Sequence, residues 1–189
     1  MKKWIATLSL MTSLLAAEII ETPHFKDLLD HVKPGCLVVL DIDDTLLIPQ
    51  QTLGNDCWFI HRMKGYEEAG CSKSEALEKA LSDWQGVRML TKVRIVEEGS
   101  AEIISDLQEQ GVSVMALTTQ GLALATRTIL QLDSLGIQLA QTAPTMEDVY
   151  FINGTFKHQQ GVLFREGILF TSGTKKGTAL LTLLSKTGV

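Results

Sequence analysis

Val38-Val-Leu-Asp41-Ile-Asp43-Asp44-Thr45-Leu46 is the stretch from which the fold of this 189-residue chain is read. Cys36 to Asp41 is a continuous apolar run closed by an acid, as expected for a strand in the middle of a parallel sheet covered on both faces. Asp41 and Asp43 lie two apart, so on a continuing strand they share a face. Two carboxylates that close repel, raise one another's pKa and destabilise the chain unless a cation or a shared proton compensates. An acidic turn after a strand is the plain alternative; Thr45-Leu46-Leu47 and the elements downstream argue for more than that.

Working outward, Pro23 to Val32 reads as a short amphipathic helix ended by Pro34-Gly35. Beyond the acids, residues 49–93 change character. A helix is expected around Trp58 to Glu68. Ser72-Lys-Ser-Glu75 is a capping box that opens a second one, with Leu77, Ala80, Leu81 and Trp84 at helical spacing. Trp58, Phe59 and Trp84 read first as packing residues and second as substrate contacts. Alternation of strand and helix resumes at Ser100, with a helix to Gln110, Gly111 as its left-handed cap and a buried strand from Val112 to Leu117. Thr118-Thr119-Gln120-Gly121 follows, then a helix carrying Leu124, Ile129, Leu132 and Leu135. Val149 to Thr171 has strand-like pieces with turns expected at Asn153-Gly154 and Glu166-Gly167. Thr174-Lys175-Lys176-Gly177 opens a final helix. Repeated strand-helix pairing predicts a parallel α/β sheet whose sites lie at the carboxyl ends of its strands.

Composition narrows the partners. The chain is 45% hydrophobic with a formal net charge of -5, enough for one domain with a real core and a poor match to nucleic acid. Four scattered histidines (His24, His31, His61, His158) and three cysteines (Cys36, Cys57, Cys71) lack zinc-ligand spacing. Lys2-Lys3, the apolar run Trp4 to Leu15 and Ala16-Ala17 before Glu18 read as a secretory signal over residues 1–17, too short for a stable membrane span. Export to the periplasm or the medium would permit one disulfide, with Cys57 and Cys71 the nearer pair.

Asp41-Ile-Asp43-Asp44-Thr45-Leu46, Thr118 after an apolar strand and Lys176-Gly177 at a helix start together resemble the first three motifs of the haloacid-dehalogenase-like superfamily, in their usual order. More narrowly, Leu117-Thr118-Thr119 and Gly167-Ile-Leu-Phe-Thr-Ser-Gly173 are similar to a group of exported bacterial members of unassigned function. The resemblance implies a Rossmannoid parallel sheet, residues 18–48 and 94–189, with a small helical cap over 49–93. It implies Mg²⁺-dependent hydrolysis of a small phosphate monoester: Asp41 as nucleophile, Asp43 as acid and base, Thr118 on a phosphoryl oxygen, Lys176 neutralising charge, and Asp41 with the Asp43 backbone on the metal. Asp44 after Asp43 is the form commoner in phosphatases than in dehalogenases.

One departure bears on activity. The family's fourth motif places metal-binding acids after a further strand beside that of Asp41, and the chain stops at Val189 before any such strand. The expectation is a sheet incomplete there, from a fragment or a shortened relative, with weak or no turnover in the isolated chain. The rival reading is a non-catalytic remnant or binding protein.

Overall fold

The apolar run after Pro34-Gly35 forms β1 (Leu37–Leu40) and stops one residue short of Asp41. The chain then folds back: Leu46 and Leu47 both donate backbone N–H groups to the Ile42 carbonyl (2.9 and 3.1 Å), and Asp44 takes the left-handed region at φ 57°. Asp41 and Asp43 thus do not share the face of a continuing strand, because this turn, closed by the buried Ile42, Leu46 and Leu47, intervenes. The structure is a computed structural model that describes residues 18–155 and 158–189; the expected export signal, residues 1–17, lies outside them. Upstream of β1, Phe25–Asp30 is a 3₁₀ turn rather than an amphipathic α-helix. Only six residues long, it leans Phe25 and Leu28 on the core without burying either fully.

β2 (Leu47–Pro49) pairs antiparallel with β3 (Val93–Ile95), and between them run α1 (Asp56–Glu68) and α2 (Lys73–Leu90). Asn55 caps α1 by accepting from the Trp58 amide at 2.9 Å, and Ser72 with Glu75 forms the capping box of α2. Ala76, Ala80 and Arg88 are the buried residues of α2, while Leu77 and Leu81 stay 42% and 40% exposed. The buried face is thus turned by about one residue from the expected stripe. α1 buries no residue at all. The carboxyl end of α2 is the anchored end: Arg127 and Gln131 donate to the Thr91 carbonyl at 2.8 and 2.9 Å. A helix with so little buried surface opens easily. Amide hydrogens of α1 should exchange well before those of the central strands, as hydrogen-exchange mass spectrometry would show.

The rest of the chain builds the main sheet. α3 (Ser100–Glu109) leads into β4 (Ser113–Thr118), and a 3₁₀ turn at Leu122–Leu124 into α4 (Ala125–Asp133). β5 (Val149–Thr155), β6 (His158–Arg165), β7 (Ile168–Phe170) and α5 (Lys176–Thr187) complete it. The sheet order is β1-β4-β7-β6-β5, with β1 at one edge. β1, β4 and β7 are parallel, whereas β6 runs antiparallel to β7 and to β5. The wholly parallel sheet expected from the sequence is corrected to a mixed one. β5, β6 and β7 follow each other with no intervening helix, and hairpins force antiparallel pairing.

The Asn153-Gly154 turn is also corrected. Both residues lie inside β5, paired with Gln160 and Gln159, and the Asn153 amide is spent on the Thr174 hydroxyl at 2.7 Å. The Glu166-Gly167 turn does stand between β6 and β7, with both residues at positive φ (49° and 74°). Alternation along β4 sends Val114 and Ala116 toward Ile104, Leu107 and Leu132. Met115 and Leu117 go to the other face, with Ala179 and Leu183 of α5. That gives an α/β fold of helices on both faces of a mixed sheet. At Gly167 a Cβ would run into the Leu139 backbone carbonyl, at a positive φ. Gly167→Ala should lower stability by roughly 2–5 kcal/mol, read from urea unfolding midpoints.

Candidate functional site

The carboxyl ends of the three parallel strands open on one edge, and the residues singled out from sequence follow those ends. Asp41 comes just after β1, Thr118 ends β4, and Lys176 begins α5 after β7. Short backbone bonds join the last two loops: Thr171, Ser172 and Gly173 amides donate to the Thr118, Gln120 and Thr119 carbonyls at 3.0, 3.0 and 2.9 Å. Ser172 holds φ 49° to do so. Non-glycine residues in the left-handed region at this edge, Asp44 and Ser172, mark loops whose shape is imposed by their surroundings.

Asp41 and Lys176 meet directly. Lys176 Nζ lies 2.6 Å from Asp41 Oδ1, which also accepts from the Ile42 amide at 2.8 Å. Both contacts fall on Oδ1, so Oδ2 is left for other partners. With side chains 47% and 32% exposed, Asp41 and Lys176 face solvent. Lys175 is the N-cap position of α5 and makes no side-chain cap.

Asp43 has a different set of partners. Arg88 donates to Oδ1 at 2.6 Å, and Gln120 Nε2 donates to Oδ2 at 2.8 Å. Thr128 in turn donates to the Gln120 carbonyl oxygen at 2.6 Å, giving a chain from α4 through the β4 loop to the acid and on to α2. Burial holds the Asp43 carboxyl above its ordinary pKa, against the pull of Arg88 and Gln120, and Asp41 adds to the rise. Burial likewise raises Asp44, with Asp56 the next cause, so these acids crowd one another. Arg88 has only 3% of its side chain exposed, and burial pulls its pKa down while Asp43 pushes it back.

Thr118 is 1% exposed, and its hydroxyl accepts from the Gln120 amide at 3.1 Å, shaping its own loop. Its neighbour Thr119 is the exposed hydroxyl and lines a cavity of about 550 Å³. Asp43 and Gln120 form part of the same lining, and Phe59 and Trp84 come to it from α1 and α2. Arg88 and Gln120 are missed by reading motifs. The signal for Arg88 was present: Ala76, Ala80, Trp84 and Arg88 recur every four residues, and an arginine on a buried stripe requires an acid partner. Nothing local distinguishes Gln120. All three cysteines are free thiols, so the Cys57–Cys71 pairing is not formed.

In Lys176→Met, stability should change by about 1 kcal/mol or less, since the pair is solvent-exposed.

The chain is similar to proteins of Chlamydia named "Putative outer membrane protein". One from Chlamydia pneumoniae is 27% identical over 143 residues, covering 76% of this chain and 52% of its own length. A second from that organism is 24% identical over 177 residues, covering 90% and 64%. One from Chlamydia trachomatis is 22% identical over 143 residues, covering 76% and 51%. The chain thus spans between half and two thirds of the length of these relatives. No solved structure matches it. No haloacid-dehalogenase-like family matches either, and the resemblance drawn from the Asp41 motif is corrected accordingly. An acid-rich turn after an apolar strand is a short pattern, and any sheet with its site at the strand ends can carry one. The family model that does match, described as a protein of unknown function (DUF2608), covers residues 21–189, and the chain belongs to that family.

Proposed function

We propose that the edge bearing Asp41, Thr118-Thr119 and Lys176 binds a small phosphorylated molecule, and that the Asp41 carboxylate attacks its phosphorus. The observation that carries this reading is the 2.6 Å Lys176–Asp41 pair where parallel strands end. A carboxylate and a phosphate ester repel, so the attack needs positive charge beside it, and Lys176 is placed to supply it. Backbone N–H groups in the first turn of α5 favour the same anion. As the bond from Asp41 to phosphorus forms, the ester P–O bond breaks and its electron pair leaves on the alcohol oxygen. Asp43 hands that oxygen a proton: burial raises its pKa toward the protonated form, and the Arg88 and Gln120 contacts, which hold the ionised form, loosen for the step. Water then attacks the aspartyl-phosphate, giving a proton to Asp43 and releasing phosphate. The exposed Thr119 hydroxyl, or Thr118 after a change in its loop, would steady a phosphoryl oxygen.

Magnesium fits this donor set in its sparse, water-rich form. Asp41 keeps one oxygen clear, and the Asp43 carbonyl stays outside the hydrogen bonds of the turn that joins Asp44 to Leu47 and Leu47 to Ile42. Among the described residues no three His, Cys, Asp or Glu side chains converge to hold a metal. One or two protein oxygens completed by water and phosphate is a form Mg²⁺ accepts. When bound, it would neutralise charge on the phosphoryl oxygens.

The α1–α2 pair, anchored at its carboxyl end, serves as a cap over the site. The full protein is exported: Lys2-Lys3 with the apolar run to Leu15 supports this, as does the name carried by the Chlamydia relatives. Among the described residues no helix is long and apolar enough to cross a membrane.

Purified chain should release phosphate from an aryl phosphate slowly, more with added magnesium and not at all with a chelator. Release indifferent to chelation would sink the reading. A second reading, a binding protein without turnover, is favoured by the sparse metal donors and by Arg88 and Gln120 occupying both Asp43 oxygens. Binding of the ester without any release would select it.

A further inference from the structure

The cavity of about 550 Å³ beside Asp43 has an uneven chemistry. Its helical wall offers Phe59, Leu81 and Trp84, and its charged lining residues are both acids, Asp43 and Asp56. Asp43 is neutralised by Arg88, whereas Asp56 makes no ion pair among the described residues. Two contacts place Trp84: its indole N–H donates to the Gly54 carbonyl at 3.0 Å, and the Arg88 guanidinium sits 5.2 Å from its ring centroid. Gln85 closes one side, reaching over Gly121. No lysine or arginine lines the space among the described residues.

We propose that this cavity binds a small alkyl- or arylammonium group, seated on Phe59 and Trp84 with Asp56 as its counter-charge. A volume of this size suits one small organic group. Aromatic faces attract cations, most strongly where water is excluded. The exposed Asp56 carboxylate on its lining adds to that attraction and repels a second anionic group. On the reading of Asp41 as a phosphoryl site, the substrate is then the phosphate monoester of an amino alcohol or a similar cation. Sugar bisphosphates and nucleotides are disfavoured by the same acids.

The test needs no phosphate. Benzyltrimethylammonium, benzyl alcohol and benzoate are titrated into the chain, with binding read by calorimetry and by tryptophan fluorescence. The ammonium should bind, the alcohol more weakly, and benzoate not detectably. Phe59→Ala should weaken the ammonium by about 5- to 30-fold, the range of a desolvated cation–aromatic contact, and Asp56→Asn by about 2- to 5-fold, the range of an exposed ion pair. Asp56 is exposed and Phe59 only half-buried, so both variants should fold, which circular dichroism would check. Benzoate binding as well as the ammonium, absence of ammonium binding, or no effect of either variant would overturn the proposal. Ammonium binding without phosphate release from any ester would leave the cavity assignment standing and remove the hydrolytic reading. Release without ammonium binding would do the reverse.

Discussion

Asp43→Asn should unfold at a much lower urea concentration than the unaltered chain, with a loss of about 3–5 kcal/mol, because it strands a buried guanidinium. Arg88 has 3% of its side chain exposed, against 29% for Asp43. That difference sets an order among the variants. Arg88→Met leaves an acid that water still reaches and that Gln120 still bonds at 2.8 Å, so its loss should be smaller, roughly 2–3 kcal/mol. The double variant Asp43→Asn with Arg88→Met removes both charges and places a side chain of similar length beside Trp84. It should recover at least half of the Asp43→Asn loss, since apolar replacement of a buried pair is often neutral. Equal stability of the unaltered chain and Asp43→Asn would mean that the pair does not form in solution.

Asp41→Asn should abolish phosphate release while leaving the fold intact. The amide oxygen of asparagine can still accept from the Ile42 amide, and the Lys176 pair it loses is largely exposed, so stability should move by about 1 kcal/mol or less. An amide cannot form the acyl phosphate, and removal of a nucleophile lowers turnover by about 10⁴-fold or more. From a slow starting rate that is a fall to background. On the proposed reading the two acids of one motif are separable by measurement: Asp41→Asn loses turnover at little cost in stability, whereas Asp43→Asn loses stability along with its proton transfer. Paired unfolding and turnover assays on the two variants check that division.

Much of this arrangement is legible in the chain itself, for physical reasons that differ by element. β1 (Leu37–Leu40) and Val114 to Leu117 of β4 are unbroken apolar runs of strand length, the pattern of strands in a sheet covered by helices. The α2 start was readable because Ser72 and Glu75 satisfy amides within one turn, a purely local interaction. Lys176 rather than Lys175 was taken from the superfamily resemblance, which favours Lys-Gly at a helix start, and Lys176 lies 2.6 Å from Asp41.

What failed depended on distant contacts. Asn153-Gly154 has the local chemistry of a hairpin turn, but Thr174 takes the Asn153 amide and ladder pairing with Gln160 and Gln159 carries the strand past it. The stripe on α2 was misread because Leu77 and Leu81 look like core residues, whereas Ala76, Ala80 and Arg88 face inward. Sheet direction past β7 was set by hairpin connections that periodicity does not report. The Asp41 motif located an edge of the sheet correctly but named the wrong family, since six residues describe a strand end and its acids and nothing of the chain around them.

The most direct test of Asp41 as the attacking group is to trap its phosphoryl adduct. The chain is mixed with an aryl phosphate and magnesium, quenched in acid within the first turnover, and digested for mass spectrometry. A phosphoryl group on the peptide carrying Asp41, absent from Asp41→Asn, is the expected result. Phosphate release that proceeds with no adduct, or with the adduct on another residue, would contradict it.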